Sequence, residues 1–306
     1  MPSDGAVPGG DAGLPGPGRS DAGLPDSIRP DWPAPAGVTA LMSTRAGGTS
    51  AAPFDSLNLR PPALGGDGVD APAAVLENQR RFACALGAQP VWLNQAHGAD
   101  LVRLTAAHLR AGAPLPRADA SICTEPGIAC AVLVADCLPV LLCSADGRAV
   151  GAAHAGWRGL AGGVLERTAG ALCDVAGCAP DRLLAWLGPC IGPDAFEVGG
   201  DVLQAFGADP QHLQHLQHLQ HLQPLQPADA AMFRFSPRAD GSPRWRADLA
   251  GLARQRLAAL GVRMVAGGHW CTVGDASRFF SFRRDPRTGR MAAAIAVSGV
   301  SGVSAG

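Results

Sequence analysis

The sequence contains no lysine and no tyrosine, and asparagine occurs only at Asn58, Asn78 and Asn94. Every basic side chain is therefore an arginine, in a chain rich in Ala, Gly, Pro and Arg. This bias follows GC-rich codons and says little about function. Against it, each retained Asn or Phe carries a weak signal of need. Neither sign of charge is in excess: 25 basic and 26 acidic residues give a formal net charge of -1. That removes the basic footprint through which proteins hold nucleic acid phosphates. No apolar run approaches the roughly 20 residues that cross a bilayer, so no membrane partner is expected. The N-terminus lacks a basic n-region and an apolar h-region, and no signal peptide is read there. The nine cysteines are odd in number and follow neither a C-x-x-C nor any other compact pattern, and no H-E-x-x-H occurs. A reduced, cytoplasmic compartment fits them, most acting as small buried apolar residues.

What is present divides the 306 residues into a tail, a body and a short end. Residues 1–35 are rich in Gly, Pro, Asp and Ser. They bury too little surface to offset their ordering entropy and read as a disordered extension. Residues 36–298 carry the fold, and 299–306 form a loose Gly/Ser-rich tail. Strands are expected over 38–45, 91–93, 119–122, 129–134, 183–187, 262–266 and 292–297. Helices are expected over 71–86, 159–175, 196–206 and 246–260. The first places Val75, Asn78/Gln79, Phe82 and Leu86 on one face and stops at Gly87. Imperfect alternation of the two types predicts a layered α/β domain with a mixed sheet. Residues 211–227 are a low-complexity insertion built on a His-Leu-Gln repeat, whose period of three suits neither helix nor strand. Such tracts can bind metal, but triplet expansion in a surface loop is the better reading. His212, His215, His218 and His221 are therefore left out of the site.

The stretch 132–159 organises the chemistry. Two apolar runs flank Asp136-Cys137, and a third delivers His154 into a Gly-Trp-Arg-Gly turn. A further apolar run leads to Asn94-Gln-Ala-His97-Gly. His97, Cys137 and His154 each lie at the end of such a run, where side chains are held rigidly. If they meet, a Cys/His/His set leaves one position open, the catalytic arrangement for Zn²⁺. Their long spacing also allows buried histidines bonded to backbone and an inert core thiol. Asp136 reads as an N-cap or as the partner orienting a ligand histidine. Arg45, Asn58 and Arg158 are the candidates for substrate contact. Arginine offers a planar fork for phosphate or carboxylate, and structural ion pairs are the plain alternative. Trp157 could stack on a planar base or simply fill the core.

Together the motifs carry a resemblance. They run from Ser43-Thr-Arg-Ala-Gly-Gly through Ser56-Leu-Asn-Leu, Gln95-Ala-His-Gly, Ala135-Asp-Cys-Leu-Pro-Val and His154-Ala-Gly-Trp-Arg-Gly. Gly188-Pro-Cys-Ile-Gly-Pro, Phe196-Glu-Val-Gly, Phe280-Ser-Phe-Arg-Arg-Asp and Thr288-Gly-Arg follow in order. This set resembles the bacterial laccase-domain family, also called the polyphenol oxidase or purine nucleoside phosphorylase family. The resemblance implies a single-domain, three-layer α/β/α fold. It implies zinc held by His97, Cys137 and His154, which would also be the catalytic residues. It further implies phosphorolysis of adenosine, inosine, guanosine and S-methyl-5′-thioadenosine, with deamination of adenosine, by a chain taken to act as a monomer on nucleosides and phosphate. Arg45 or Arg158 would hold the phosphate. Other members are described as copper-dependent phenol oxidases, which makes copper the alternative metal, or are linked to amide hydrolysis in peptidoglycan-precursor editing. A cysteine nucleophile activated by His97 or His154 would suit that last chemistry. The sequence departs from the pattern after Ser-Leu-Asn-Leu. The usual His-Val-Gly-Asp is replaced by Arg60-Pro-Pro-Ala-Leu-Gly-Gly-Asp-Gly, without a histidine.

Overall fold

Strands that are apolar on both faces set the architecture. The computed structural model describes residues 24, 26–66, 69–211 and 232–298. In chain order its regular elements are β1 (Val38–Met42), α1 (Pro72–Leu86), β2 (Gln89–Val91), β3 (Leu101–Arg103), β4 (Ala120–Cys123), β5 (Ile128–Val134), β6 (Leu138–Ser144), β7 (Val150–Ala155), α2 (Trp157–Ala161), α3 (Val164–Ala176), β8 (Leu183–Leu187), β9 (Glu197–Val198), α4 (Gly200–Ala205), β10 (Phe233–Phe235), β11 (Trp245–Ala247), α5 (Leu249–Leu260), β12 (Met264–Gly267) and β13 (Met291–Val297), with short 3-10 turns between. The insertion from His212 onward and the tail from 299 lie outside the described residues.

The strands form a four-stranded sheet, β1-β13-β5-β2, a six-stranded sheet, β12-β8-β6-β7-β4-β3, and a small sheet, β10-β11-β9. The two larger sheets mix parallel and antiparallel pairs. Period-two alternation assigns each strand face to a core. On β5, Cys130, Val132 and Val134 point into one cluster with Leu141 and Cys143 of β6 and Val150 and Ala152 of β7. That cluster lies between the two large sheets. The opposite residues of β5, Ala129, Ala131 and Leu133, meet Phe82 and Leu86 of α1. The other face of β6, Leu138, Val140 and Leu142, packs on Leu165 and Leu172 of α3 and Leu252 and Leu257 of α5. The molecule is thus a mixed α/β domain with helices outermost, as its sequence implies. Its middle holds two stacked sheets instead of one, because β5 and β13 bury both faces against different partners. Among the described residues no helix is long and apolar enough to cross a membrane.

Several boundaries follow local rules. Helix α1 begins with Pro72 in its first turn and ends at Gly87, whose φ of 76° no β-carbon obstructs. The helix expected over 159–175 is broken into α2 and α3 at Gly162 and Gly163, the latter with φ 87°. Helix α5 starts at Leu249, three residues later than the expected 246, because Asp248 caps it by accepting from Gly251 N. Of the expected extension 1–35, residues 24 and 26–35 are described and lie on the fold. Ile28 exchanges backbone hydrogen bonds with Met42, and Leu24 is buried beside α1.

Asn78 shows what a retained asparagine does here. It is fully buried on α1. Its amide nitrogen faces Ser50 Oγ, Ser56 O and Asn58 O at 2.9–3.1 Å, and its oxygen accepts from Thr49 N at 2.8 Å. One side chain thereby ties the helix to the loop 49–58. Asn78→Ala removes these four bonds and leaves the buried Asn58 carbonyl without its partner, and is expected to cost about 2–4 kcal/mol in stability. Urea unfolding should show a lower midpoint with an unchanged m-value.

Candidate metal centre and its cavity

The chain changes sheets at the site. β5 belongs to the four-stranded sheet and β6 to the six-stranded one, and three residues, Ala135 to Cys137, join them. Asp136 takes φ 98° in this crossing, which turns the backbone sharply and leaves Cys137 at the mouth of β6. β6 and β7 are antiparallel neighbours with Pro139 opposite His154. Cys137 and His154 therefore lie at the same end of adjacent strands. His97 comes from the loop after β2, in the left-handed region at φ 60°. Donor atoms of His97, Cys137 and His154 all lie within 4.8 Å of one another, a group able to hold a metal ion. The two imidazoles meet edge to face with centroids 4.8 Å apart.

Asp119 assembles the group. It sits just before β4, which pairs with β7 so that Ala120 faces Ala153. Its carboxylate accepts from the backbone N–H groups of Ala96, His97 and Gly98 at 3.1, 2.9 and 2.7 Å, and its Oδ1 lies 2.8 Å from His154 Nδ1. Nδ1 thus carries the proton towards Asp119, and Nε2 is left to face Cys137 and His97. Gln95 pins the same loop to β5 by bonding both the N–H and the C=O of Leu133. Asp136 does not orient a histidine: its oxygens accept from Thr272 Oγ1 and Arg283 N, both at 2.6 Å. Glycines make room. A β-carbon at Gly156 would lie 3.0 Å from Cys137 Sγ, and one at Gly159 would lie 2.5 Å from Gly98 O.

Electrostatics couple the donors. Burial alone would raise the Cys137 thiol, but the adjacent His154 charge and hydrogen bonds from both imidazoles outweigh it and bring the pKa to about 6. Burial likewise opposes protonation of His154, yet the Cys137 thiolate and Asp119 raise it to about 9. Asp119 itself is held below the usual carboxylate range: burial pushes it up, and His154 with the backbone donors pulls it further down. Without a metal the pair is a thiolate beside an imidazolium. Cys130, Cys143 and Cys190 behave oppositely, with burial pushing their thiols up, as expected of inert core cysteines.

A cavity of about 480 Å³ opens beside the three donors. Trp157, Phe196 and Phe282 supply aromatic wall, and Arg60, Arg283 and Arg290 supply positive charge. The three candidate substrate residues do not line it. Arg45 donates to Asp55 and to the Asp55 and Ala276 carbonyls while lying over the Phe280 ring. Asn58 is buried and binds Asp70 and two backbone N–H groups. Arg158 is exposed and stacks on Trp157, 4.3 Å from the ring centroid. Asp119, Arg60, Arg283 and Arg290 line or support the site without being among the candidates that the sequence singles out. Arg290 could have been found in the Thr288-Gly-Arg motif, whereas Arg60 occupies the stretch that departs from the family pattern.

Comparisons with known proteins fit this geometry. A family model described as multi-copper polyphenol oxidoreductase laccase matches residues 39–298. A purine nucleoside phosphorylase of Pseudomonas aeruginosa is 47% identical over 268 residues, covering 88% of this chain and 97% of that protein. The purine nucleoside phosphorylase YfiH of Escherichia coli is 47% identical over 272 residues, with the same coverage. Among solved structures, that of a Neisseria meningitidis protein superposes with a TM-score of 0.73 at 42% identity, covering 90% of this chain and all of the other. With a match across most of its length in both sequence and structure, the chain belongs to the multi-copper polyphenol oxidoreductase laccase family.

Proposed function

We propose that the chain is a zinc-dependent purine nucleoside phosphorylase acting on adenosine, inosine, guanosine and S-methyl-5′-thioadenosine, with adenosine deamination at the same site. The observation that carries this reading is the His97–Cys137–His154 group opening into a cavity with aromatic and cationic walls, in a chain nearly half identical to relatives named for that activity. The donor set fits zinc. It offers one thiolate and two imidazoles, one imidazole oriented by a buried carboxylate, which is the second layer of contacts that metal-bound histidine needs. Copper can use the same donors. A multi-copper centre fits less well, because among the described residues one such group of ligands occurs. The free cysteines suit a reducing cytoplasm, and the reading takes the enzyme as a monomer acting on small molecules.

The protein's own contribution is positioning and charge. In phosphorolysis an oxygen of phosphate bonds to C1′ as the C1′–N bond breaks; the electron pair leaves with the purine, which takes up a proton. Trp157, Phe196 and Phe282 offer flat apolar surface to the base. Guanidinium groups on the wall place an anion next to the ribose, where positive charge develops at C1′. Bound zinc would supply Lewis acidity at the end of the cavity where His97, Cys137 and His154 lie.

A second reading has one observation in its favour. Cys137, His154 and Asp119 form a low-pKa thiol, an imidazole and a buried carboxylate in sequence, the order a cysteine amide hydrolase uses. After metal removal, rapid labelling of Cys137 and a trapped acyl intermediate on an amide substrate would favour it over the phosphorylase.

Three outcomes test the main reading. Purified protein should contain about one zinc per chain and convert inosine and phosphate to hypoxanthine and ribose 1-phosphate; Cys137→Ala should lose both the metal and at least about a hundredfold in turnover, the scale of removing a donor that fixes the site. Full activity in that variant rejects the assignment. Asp119→Asn should weaken zinc binding by about 10–100-fold, read by chelator competition.

The third outcome concerns pH. Cys137 is depressed to about 6 and His154 raised to about 9, so the ion pair exists between those values. Its Cys137 part is lost as pH falls through about 6, and its His154 part as pH rises through about 9. Zinc needs neutral imidazole, so within the window this pair should release about one proton per metal, that of His154. Below the window the release should grow and above it vanish. Calorimetry in buffers of different ionisation enthalpy measures it.

A further inference from the structure

We propose that Arg60 and Arg290 form the subsite for inorganic phosphate, bound as the second substrate beside the metal group. The inference rests on the phosphorylase reading and deepens it by naming the residues that take the anion. Both arginines line the cavity that contains Cys137 and His154. They are neighbours by construction. The oxygen of Asn58 accepts from Arg60 N at 3.2 Å and from Arg290 N at 2.9 Å, and Leu59 N donates to Arg290 O at 3.0 Å. Asn58 is 1% exposed, and its amide nitrogen is fixed in turn by Asp70 at 3.1 Å. One buried side chain therefore clamps both arginine backbones to a single oxygen atom.

Neither guanidinium is closed off by a direct ion pair. Arg45, Arg81, Arg238 and Arg256 each sit against an Asp or Glu. Among the described residues, no carboxylate lies within ion-pair distance of Arg60 or Arg290. Asp136 is the one carboxylate on the cavity wall among those residues, and Thr272 and Arg283 N already occupy it. Arg290 spends one terminal nitrogen on the carbonyls of Thr288 and Gly289 and lies over the Phe282 ring, which orients the guanidinium and leaves the rest of its fork without a hydrogen bond. Burial first, and then the positive charge of Arg60, disfavour its charged form and outweigh the more modest support from Cys137 and Asp136. Two adjacent cations held in a partly dry cavity are unfavourable unless an anion joins them. A phosphate dianion matches that demand in charge, and its tetrahedral oxygens match two planar forks. The same chemistry would accept the 5′-phosphate of a nucleotide, so the test separates the two sources.

The experiment uses the full zinc-loaded chain, with inorganic phosphate alone as the first probe. Phosphate should bind saturably by calorimetry and raise the melting temperature. Arg60→Met should weaken that binding by about tenfold or more, the loss of one charge-assisted contact. The KM for phosphate should rise in parallel, while the KM for inosine moves by less than about twofold. Arg290→Lys, which keeps the charge without the fork, should lie between wild type and Arg290→Met. Arg60 makes no side-chain hydrogen bond among the described residues, so Arg60→Met is expected to keep the zinc content and far-ultraviolet circular dichroism of the wild type. It carries the test alone if the Arg290 variants fail to fold. Phosphorolysis with an unchanged KM for phosphate in Arg60→Met and Arg290→Lys would overturn the subsite and leave the phosphorylase reading standing. Arg60-dependent phosphate binding in a protein that cleaves no nucleoside would support the subsite and remove the phosphorylase reading. Arg60-dependent binding of adenosine 5′-monophosphate, with no binding of free phosphate at millimolar concentration, would overturn the assignment to free phosphate.

Discussion

A single buried carboxylate holds this site together. Asp119 is 1% exposed, and its two oxygens serve three backbone N–H groups and one imidazole. An ionised carboxylate is costly to bury unless its lone pairs are met. Here they are met by the two parts that must be brought together, the 96–98 loop and the end of β7. The cost of burial thereby becomes a constraint, since the loop cannot leave without stranding the charge. The left-handed conformation of His97, uncommon outside glycine, persists because its own N–H is one of those donors.

The three donors differ in how rigidly they are placed. Cys137 and His154 stand at the ends of β6 and β7, central strands of a sheet whose residues are buried on both faces. Their separation is fixed by strand pairing. His97 is exposed and comes from a loop, so its position depends on Asp119, on the Gln95 clamp to Leu133 and on the close approach of Gly159 to Gly98. Two donors set by sheet geometry and a third set by hydrogen bonds make a site in which rearrangement is confined to the 94–98 loop.

Periodicity made much of the fold legible. The faces of α1 and its Gly87 stop, the strand Leu183–Leu187 and the body of β5 follow directly from apolar spacing. The layer count did not follow, because a strand buried on both faces reads the same whether it meets two helices or a helix and a second sheet. Asn78, singled out as a retained asparagine on the inner face of α1, proves to be a hub that no pattern of hydrophobicity describes. His97, Cys137 and His154 stood out because each closes an apolar run. Asp119 was hidden for the opposite reason. An aspartate before a strand is commonplace in sequence, and its role arises from β4 pairing with β7, a contact 35 residues away.

The arginines show where residue chemistry alone stops. With no lysine in the chain, every cation is a guanidinium, and the residue type cannot separate a ligand fork from a structural ion pair. Arg45 and Arg158 lie in the most distinctive motifs and yet face Asp55 and Trp157. What distinguishes Arg60 and Arg290 is their common anchor. Asn58 does not itself line the cavity, but its oxygen fixes the backbone from which both forks extend. An asparagine that looks like a binding residue from its motif acts one step back, and a loop that departs from its family still delivers a cation to the same wall. The charge of the cavity therefore depends on backbone pairing between residues 58–60 and 289–291, and this pairing depends on one amide being kept dry.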